Sequence, residues 1–228
     1  MKTIVLLTIA LTLSACTRSL VYSPSLNLPA KIMKEKEIDL QGGIELLPET
    51  RREENSGRTA VIGGVLQIGY GFGNNFNLTL KGCADLQDKE NVLRSGYTLT
   101  AQFITAINSE ERLILMPRIG LALGGSDIDG KGAGFSAVYH KNINPMLSGY
   151  AGAGLLWGFN TLEKQLNSQN EMKVPMGFGF MATAGFSWEF AEGLRMNAEV
   201  SPIYQVNSFD NTNYFVVSPH LGIGYTIR

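Results

Sequence analysis

The sequence predicts an all-β chain folded as an antiparallel, up-and-down β-barrel of about ten strands that crosses a membrane. Three observations carry that prediction. Polar and apolar residues alternate with a period of two, which puts one wet and one greasy face on each strand. Most of the alternating segments run eleven to sixteen residues. Strands of soluble sheets run about five to six, and a tilted membrane-crossing strand needs about nine to eleven. Finally, short and long joins alternate along the chain.

Lys2 supplies a positive start, and residues 4–13 form an apolar run of ten. A membrane helix needs about twenty such residues, whereas a signal peptide needs no more than this. Residues 1–15 are therefore expected to be removed. The run ends in Leu13-Ser14-Ala15-Cys16, which resembles the signals of bacterial lipoproteins. The resemblance implies a covalent lipid of the palmitate type on Cys16 as the mature N-terminus; no other cofactor and no metal is expected. Residues 16–36 show no period and contain Ser23-Pro24-Ser25, Pro29 and Lys34-Glu35-Lys36. They read as a lipid-anchored tether outside the folded part.

From Glu37 the alternation is strict. Glu37, Asp39, Gln41, Gly43 and Glu45 oppose Ile38, Leu40, Gly42, Ile44 and Leu46. The pattern recurs at Asn77-Thr79-Lys81 against Phe76-Leu78-Leu80, and at Thr98-Thr100-Gln102 against Leu99-Ala101-Phe103. It returns at Arg195-Asn197-Glu199 and at Ser218-His220-Gly222-Gly224. Ten segments follow: 37–47, 59–71, 74–86, 95–107, 111–124, 132–141, 145–158, 175–190, 193–204 and 214–227. Residues 132–158 split less cleanly, because both faces of 145–156 are small or apolar, and eight or twelve strands stay open. The barrel would occupy residues 37–228.

Tight joins lie at Gly71-Phe72-Gly73-Asn74, Asn108-Ser109-Glu110, Asn142-Ile143-Asn144 and Ala191-Glu192. The joins at 48–58, 87–94, 125–131, 158–174 and 205–213 are longer and polar. Membrane barrels of bacteria have short periplasmic turns and longer outside loops. With an even strand number both termini would be periplasmic. Phe72, Phe76, Tyr139, Trp188, Phe190 and Tyr225 then fall near the periplasmic edge. Tyr97, Trp157, Phe159, Tyr204 and Phe215 fall near the outer edge, as aromatic girdles do.

On these residues the chain resembles the small outer-membrane β-barrel proteins of Gram-negative bacteria, in a lipid-anchored variant. The resemblance covers residues 37–228. It extends to the last strand, where Leu221, Ile223, Tyr225 and Ile227 alternate, although the chain ends in Arg228 and not in an aromatic. It implies the outer membrane as location, and outer-membrane lipid, barrel-insertion machinery and lipoprotein-sorting machinery as partners.

Composition agrees with a folded, uncharged body. A net charge of −1 gives no field for nucleic acid. Twenty-six glycines without a Gly-X-Y repeat exclude collagen, and 17% charged residues are too few for disorder. With Cys16 lipidated, Cys83 has no disulfide partner and reads as a small strand residue.

A membrane barrel turns its polar face inward. Asp39, Glu45, Lys81, Asp85, Arg118, Arg195, Glu199 and His220 are therefore the lumen-facing candidates. Charges of both signs in a narrow barrel pair with one another, or steer a polar solute. Catalysis is not expected: the chain has two histidines, His140 and His220. Ser218 and His220, on one strand face, are separated by about 6.5–7 Å of strand rise, beyond hydrogen-bond reach. Asp127-Ile128-Asp129-Gly130 lacks the rest of a calcium loop and reads as a turn. Asn77-Leu78-Thr79 lies within a strand, so it is no glycosylation site. Gly177-Phe178-Gly179 lacks the helix a phosphate cradle needs.

The expectation is a non-enzymatic, lipid-anchored outer-membrane barrel with a surface or structural role and at most narrow small-solute passage. Two alternatives remain. One is a periplasmic lipid-anchored barrel that binds an apolar ligand, lipocalin-like, with apolar residues inside and charges outside. The other is a barrel hydrolase acting on lipid.

Overall fold

The computed structural model describes residues 20–21, 23–28, 32–50, 60–86, 94–124, 128–158, 165–166, 172–173, 177–207 and 213–228. The expected signal peptide, Cys16, Phe159, Asp127 and most of the 158–174 join lie outside them.

Ten long strands form the body, and each alternation read from the sequence becomes one of them. They are β1 (Ile38–Thr50), β2 (Ala60–Gly73), β3 (Phe76–Asp85), β4 (Arg94–Ala106) and β5 (Glu111–Gly124). The chain continues with β6 (Ile128–Asn142), β7 (Leu147–Trp157), β8 (Gly177–Ala191), β9 (Leu194–Asn207) and β10 (Asn213–Ile227). Each pairs antiparallel with the next. β10 then pairs with β1, Tyr225 opposite Leu40 and His220 opposite Glu45, which closes the barrel and leaves no sheet edge. With the ladder closed, every strand satisfies its backbone groups without water, the condition for lying in hydrocarbon.

The two-residue alternation sets what each strand shows to either side. On β2, Val61, Val65 and Gln67 are buried, while Ile62, Leu66, Ile68 and Tyr70 are exposed. The exposed face carries residues such as Leu66 at 73%, Ile119 at 61% and Phe215 at 64%, so the apolar belt points outward. Tyr70, Phe72, Phe76 and Phe103 make successive ring contacts at 4.8, 5.6 and 5.2 Å near the short-turn end. Trp188 and Phe190 do the same at 5.7 Å.

Short turns cluster at one end and long joins at the other. The β8–β9 turn needs Gly193, whose φ of +73° belongs to the left-handed region. β6 begins at Ile128, four residues before the expected start, so Ile128, Asp129 and Gly130 belong to a strand and not to a turn. Gly130 pairs with Ala122, and register continuity with β5 extends the strand where local turn residues suggested a break. Outside the barrel, Gln165–Leu166 and Met172–Lys173 pair within the long join after β7.

The main departure from the sequence reading concerns residues 16–36: of those described, residues 23–28 and Met33 are buried and not a solvated tether, while Lys34, Glu35 and Lys36 are exposed. Leu20–Val21 pairs with Glu49 and Thr50 at the long-loop end of β1. Ser23, Ser25, Leu26, Asn27 and Leu28 are all buried inside the barrel. Met33 is buried against Gly69 and Gly71, and Lys36 donates its amide to the Gly71 carbonyl at the short-turn end. The chain thus runs down through the lumen before β1 carries it up again. Leu20–Val21 and Arg228 therefore lie at opposite ends of the barrel, whereas the sequence reading placed both termini at the same one. The physical reason is that the inner faces offer buried carboxylates, and an extended segment offers backbone amides that need acceptors.

Candidate functional site: the filled lumen

All eight lumen candidates are buried within the barrel: Asp39, Glu45, Lys81, Asp85, Arg118, Arg195, Glu199 and His220. Seven of them join three polar clusters stacked along the lumen.

At the short-turn end Arg195 forks onto Asp39. Its Nη1 lies 2.6 Å from Oδ1, and Nη2 donates to Oδ2 at 2.7 Å. Arg195 is on β9 and Asp39 on β1, so the guanidinium must cross β10. Gly224 permits this, because a Cβ there would meet the guanidinium carbon at 2.6 Å. Thr226 donates to Asp39 Oδ1 at 3.0 Å and Gln41 to Oδ2 at 2.8 Å. Asn197 donates to Gln41 at 2.7 Å. A bidentate pair with further hydrogen bonds to the carboxylate is the form in which buried charges are tolerated.

In the middle, Glu199 accepts from five donors. The amides of Leu26 and Asn27 approach its carboxylate at 2.8 and 2.9 Å. Tyr150, Thr183 and Ser201 donate hydroxyls at 2.7, 2.9 and 2.9 Å. Asn27 has φ of +50°, a left-handed turn that asparagine tolerates, and it helps aim two successive amides at one anion. The Asn27 carbonyl in turn accepts from Gln41 at 2.6 Å and Gln67 at 3.2 Å.

Toward the long-loop end, Glu45 accepts from Ser23 Oγ at 2.6 Å, from Ser25 Oγ at 2.8 Å and from the Ser25 amide at 3.1 Å. Lys81 donates to the Ser25 carbonyl. Arg118 donates to the Pro24 carbonyl at 3.2 Å and to Ser136 at 3.0 Å.

The opposite wall carries an apolar patch among its polar residues. Ile104, Ile114, Met116, Val138, Tyr150, Leu156, Met181 and Ile203 form one buried cluster with Leu26 and Leu28, and Ile32 packs against it. The lumen segment is matched to both walls, with its backbone polar groups toward the carboxylates and its leucines toward the aliphatic side.

Ser218 and His220 do share a partner. Ser218 Oγ lies 3.0 Å from Glu45 Oε1, and His220 Nδ1 lies 3.6 Å from Oε2. Both groups face the acid, which also accepts from Ser23 and Ser25. A nucleophile bonded to its base, with the acid behind the base, is the order catalysis requires. Cys83 is a buried free thiol packed with Leu47, Val61 and Val65. Among the described residues no group of acidic, histidine or cysteine side chains has the geometry to hold a metal.

Sequence reasoning missed Gln41, Gln67, Tyr150, Thr183, Asn197 and residues 23–28 as lumen groups. The signal for Gln41 and Asn197 was available, since both sit on the polar side of an alternating strand. For Tyr150 the neighbours are too uniformly small to mark a face.

The fold and site define a class: a closed, ten-stranded antiparallel barrel with an apolar outer belt and a polar lumen filled by its own N-terminal segment. No family model and no curated protein matches this chain. Solved structures do. An outer-membrane channel from Pseudomonas putida F1 is 9% identical, with a TM-score of 0.49 over 90% of this chain and all of that one. The channel DcaP of Acinetobacter baumannii is 11% identical, TM-score 0.39, over 92% of this chain and 70% of that one. OprG of Pseudomonas aeruginosa is 12% identical, TM-score 0.40, over 86% and 97%. These overlaps are loose, and the barrel and its outward apolar belt rest on the chain's own geometry.

Proposed function

We propose that this chain is a non-enzymatic, lipid-anchored outer-membrane β-barrel with a surface or structural role, passing small solutes narrowly if at all. One observation carries the reading: residues 23–28 lie inside the lumen, bonded to Glu45 and Glu199 and packed on Ile114, Met116 and Val138. An outward belt of Leu, Ile and Phe suits hydrocarbon, with outer-membrane lipid as the partner it touches along its whole girth. The long joins would form the contact surface facing outward, and the short turns would face the periplasm. Insertion and lipoprotein-sorting machinery are the partners implied for assembly.

The lipocalin-like alternative needs apolar residues inside and charges outside, the reverse of this distribution. The hydrolase alternative needs a nucleophile bonded to its base, and Ser218 and His220 each face Glu45 instead.

Planar-bilayer conductance of the purified full-length protein tests the reading. The expected trace is silent or nearly so; stable steps of porin size would overturn it. Alongside, unboiled protein should migrate anomalously on a gel, palmitate label should depend on Cys16, and Cys16→Ser should stay membrane-bound. A signal-less Cys16→Ser protein that is freely water-soluble and monomeric would end the membrane reading.

A further inference from the structure

We infer that the N-terminal segment is threaded through the barrel so that the lipid on Cys16 sits at the long-loop face, in the outer leaflet of the membrane. This rests on the reading above for the lipid and for which end faces outward.

The direction of the chain makes the case. Leu20–Val21 is paired at the far end of β1, opposite Thr50 and Glu49. Below it, Glu45 holds Ser23 and Ser25, then Glu199 holds Leu26 and Asn27, then Gly71 receives Lys36 near the start of β1. Going down the lumen, the contacts follow β1 backwards from Thr50 to Ile38. Those twelve steps span about 40 Å at strand rise. Cys16 precedes Leu20 by four residues, which reach about 14 Å at most. With Leu20–Val21 paired at the long-loop end and residues 23–28 seated in the lumen, Cys16 therefore has no path back to the short-turn face.

The seat is built and not incidental. Within residues 23–28, the amides of Ser25, Leu26 and Asn27 and the carbonyls of Pro24, Ser25 and Asn27 all have lumen partners. The partners come from β1, β2, β3, β5 and β9, so the barrel closes around the segment. A lipidated end is too bulky to be drawn through the closed, filled lumen afterwards. The consequence is an assembly order: the N-terminal segment is in place before β10 meets β1.

Single-cysteine labelling of the full chain in intact cells, with a membrane-impermeant maleimide, tests this. Ser19→Cys reports the end next to the lipid, Glu35→Cys the short-turn end and Gln169→Cys the long join after β7. Cys83 is buried and serves as the blank. The expected result is undiminished labelling of Ser19→Cys and Gln169→Cys in intact cells, with Glu35→Cys labelled only after permeabilisation. If Gln169→Cys is labelled and Ser19→Cys is not, the threading falls while the membrane reading stands. If Gln169→Cys also stays unlabelled, the orientation falls, and this inference with it. A Leu20→Cys/Thr50→Cys pair gives a check independent of probe access. Its oxidation to a disulfide, read as a mobility shift in heat-modifiable protein, is expected. A pair that stays reduced in a folded barrel would overturn the threading.

Discussion

On the side of the lumen formed by β1, β2, β3 and β10, the inward residues include Asp39, Gln41, Glu45, Gln67, Lys81, Ser218 and His220. On the side formed by β4 to β7 a patch of Ile104, Ile114, Met116, Val138, Tyr150 and Leu156 sits among buried polar residues such as Gln102, Arg118, Ser136 and His140, and β8 and β9 contribute to both. The difference shows how a barrel of this width holds a segment of its own chain. An all-polar interior would leave donors and acceptors to be met by water, and would conduct. An all-apolar interior would leave the backbone of any inserted segment without partners. Here Glu45, Lys81, Arg118 and Glu199, drawn from several strands, satisfy the segment's backbone and an aliphatic patch buries its leucines, so a stretch with no secondary structure of its own is held by side chains.

The contrast can be broken from either wall. The largest effect is expected from Asp39→Ala, which leaves the Arg195 guanidinium buried without its carboxylate; losing one partner of such a pair costs about 3–5 kcal/mol. Urea unfolding in lipid vesicles measures it, and Asp39→Leu with Arg195→Met should recover most of the loss. A single variant as stable as the parent would show that the ion pair is not structural. From the apolar side, Leu28→Ala removes a fully buried side chain and is expected to cost about 2–5 kcal/mol. If its effect on the unfolding midpoint is negligible, residues 23–28 are not packed on that wall.

Glu199→Gln keeps shape but removes charge and replaces one accepting oxygen by a donor. The expected cost is about 1–3 kcal/mol, through unmet buried donors. Hydrogen exchange sharpens this case: the Leu26 and Asn27 amides should lose protection while those of the barrel ladder keep theirs. Equal loss everywhere would mean that the segment and barrel are one cooperative unit. Ser218→Ala is the smallest, about 0.5–1.5 kcal/mol for one hydrogen bond. It should leave conductance unchanged, and any acquired current would mean that the Glu45 cluster seals the lumen.

The barrel was legible because its signal is local and repeated. Asp39 against Leu40, Lys81 against Leu80 and Arg195 against Leu194 each declare two faces within a few residues. The same rule placed Asp39 and Arg195 inward without pairing them, since their partnership depends on Gly224 standing between them in the register. Residues 23–28 were illegible for a different reason. Periodicity reports a segment that meets one uniform surface, and this one meets carboxylates on one side and isoleucines on the other, so Ser-Pro-Ser-Leu-Asn-Leu looks like linker.

By itself, then, the amino-acid order determined the strands, their faces and which end carries the long joins, because each follows from a two-residue period and from turn length. Only the tertiary structure decided what fills the lumen and where the N-terminal segment runs. Those depend on contacts between Glu45 or Glu199 and residues some 20 to 173 positions away, for which no local pattern exists.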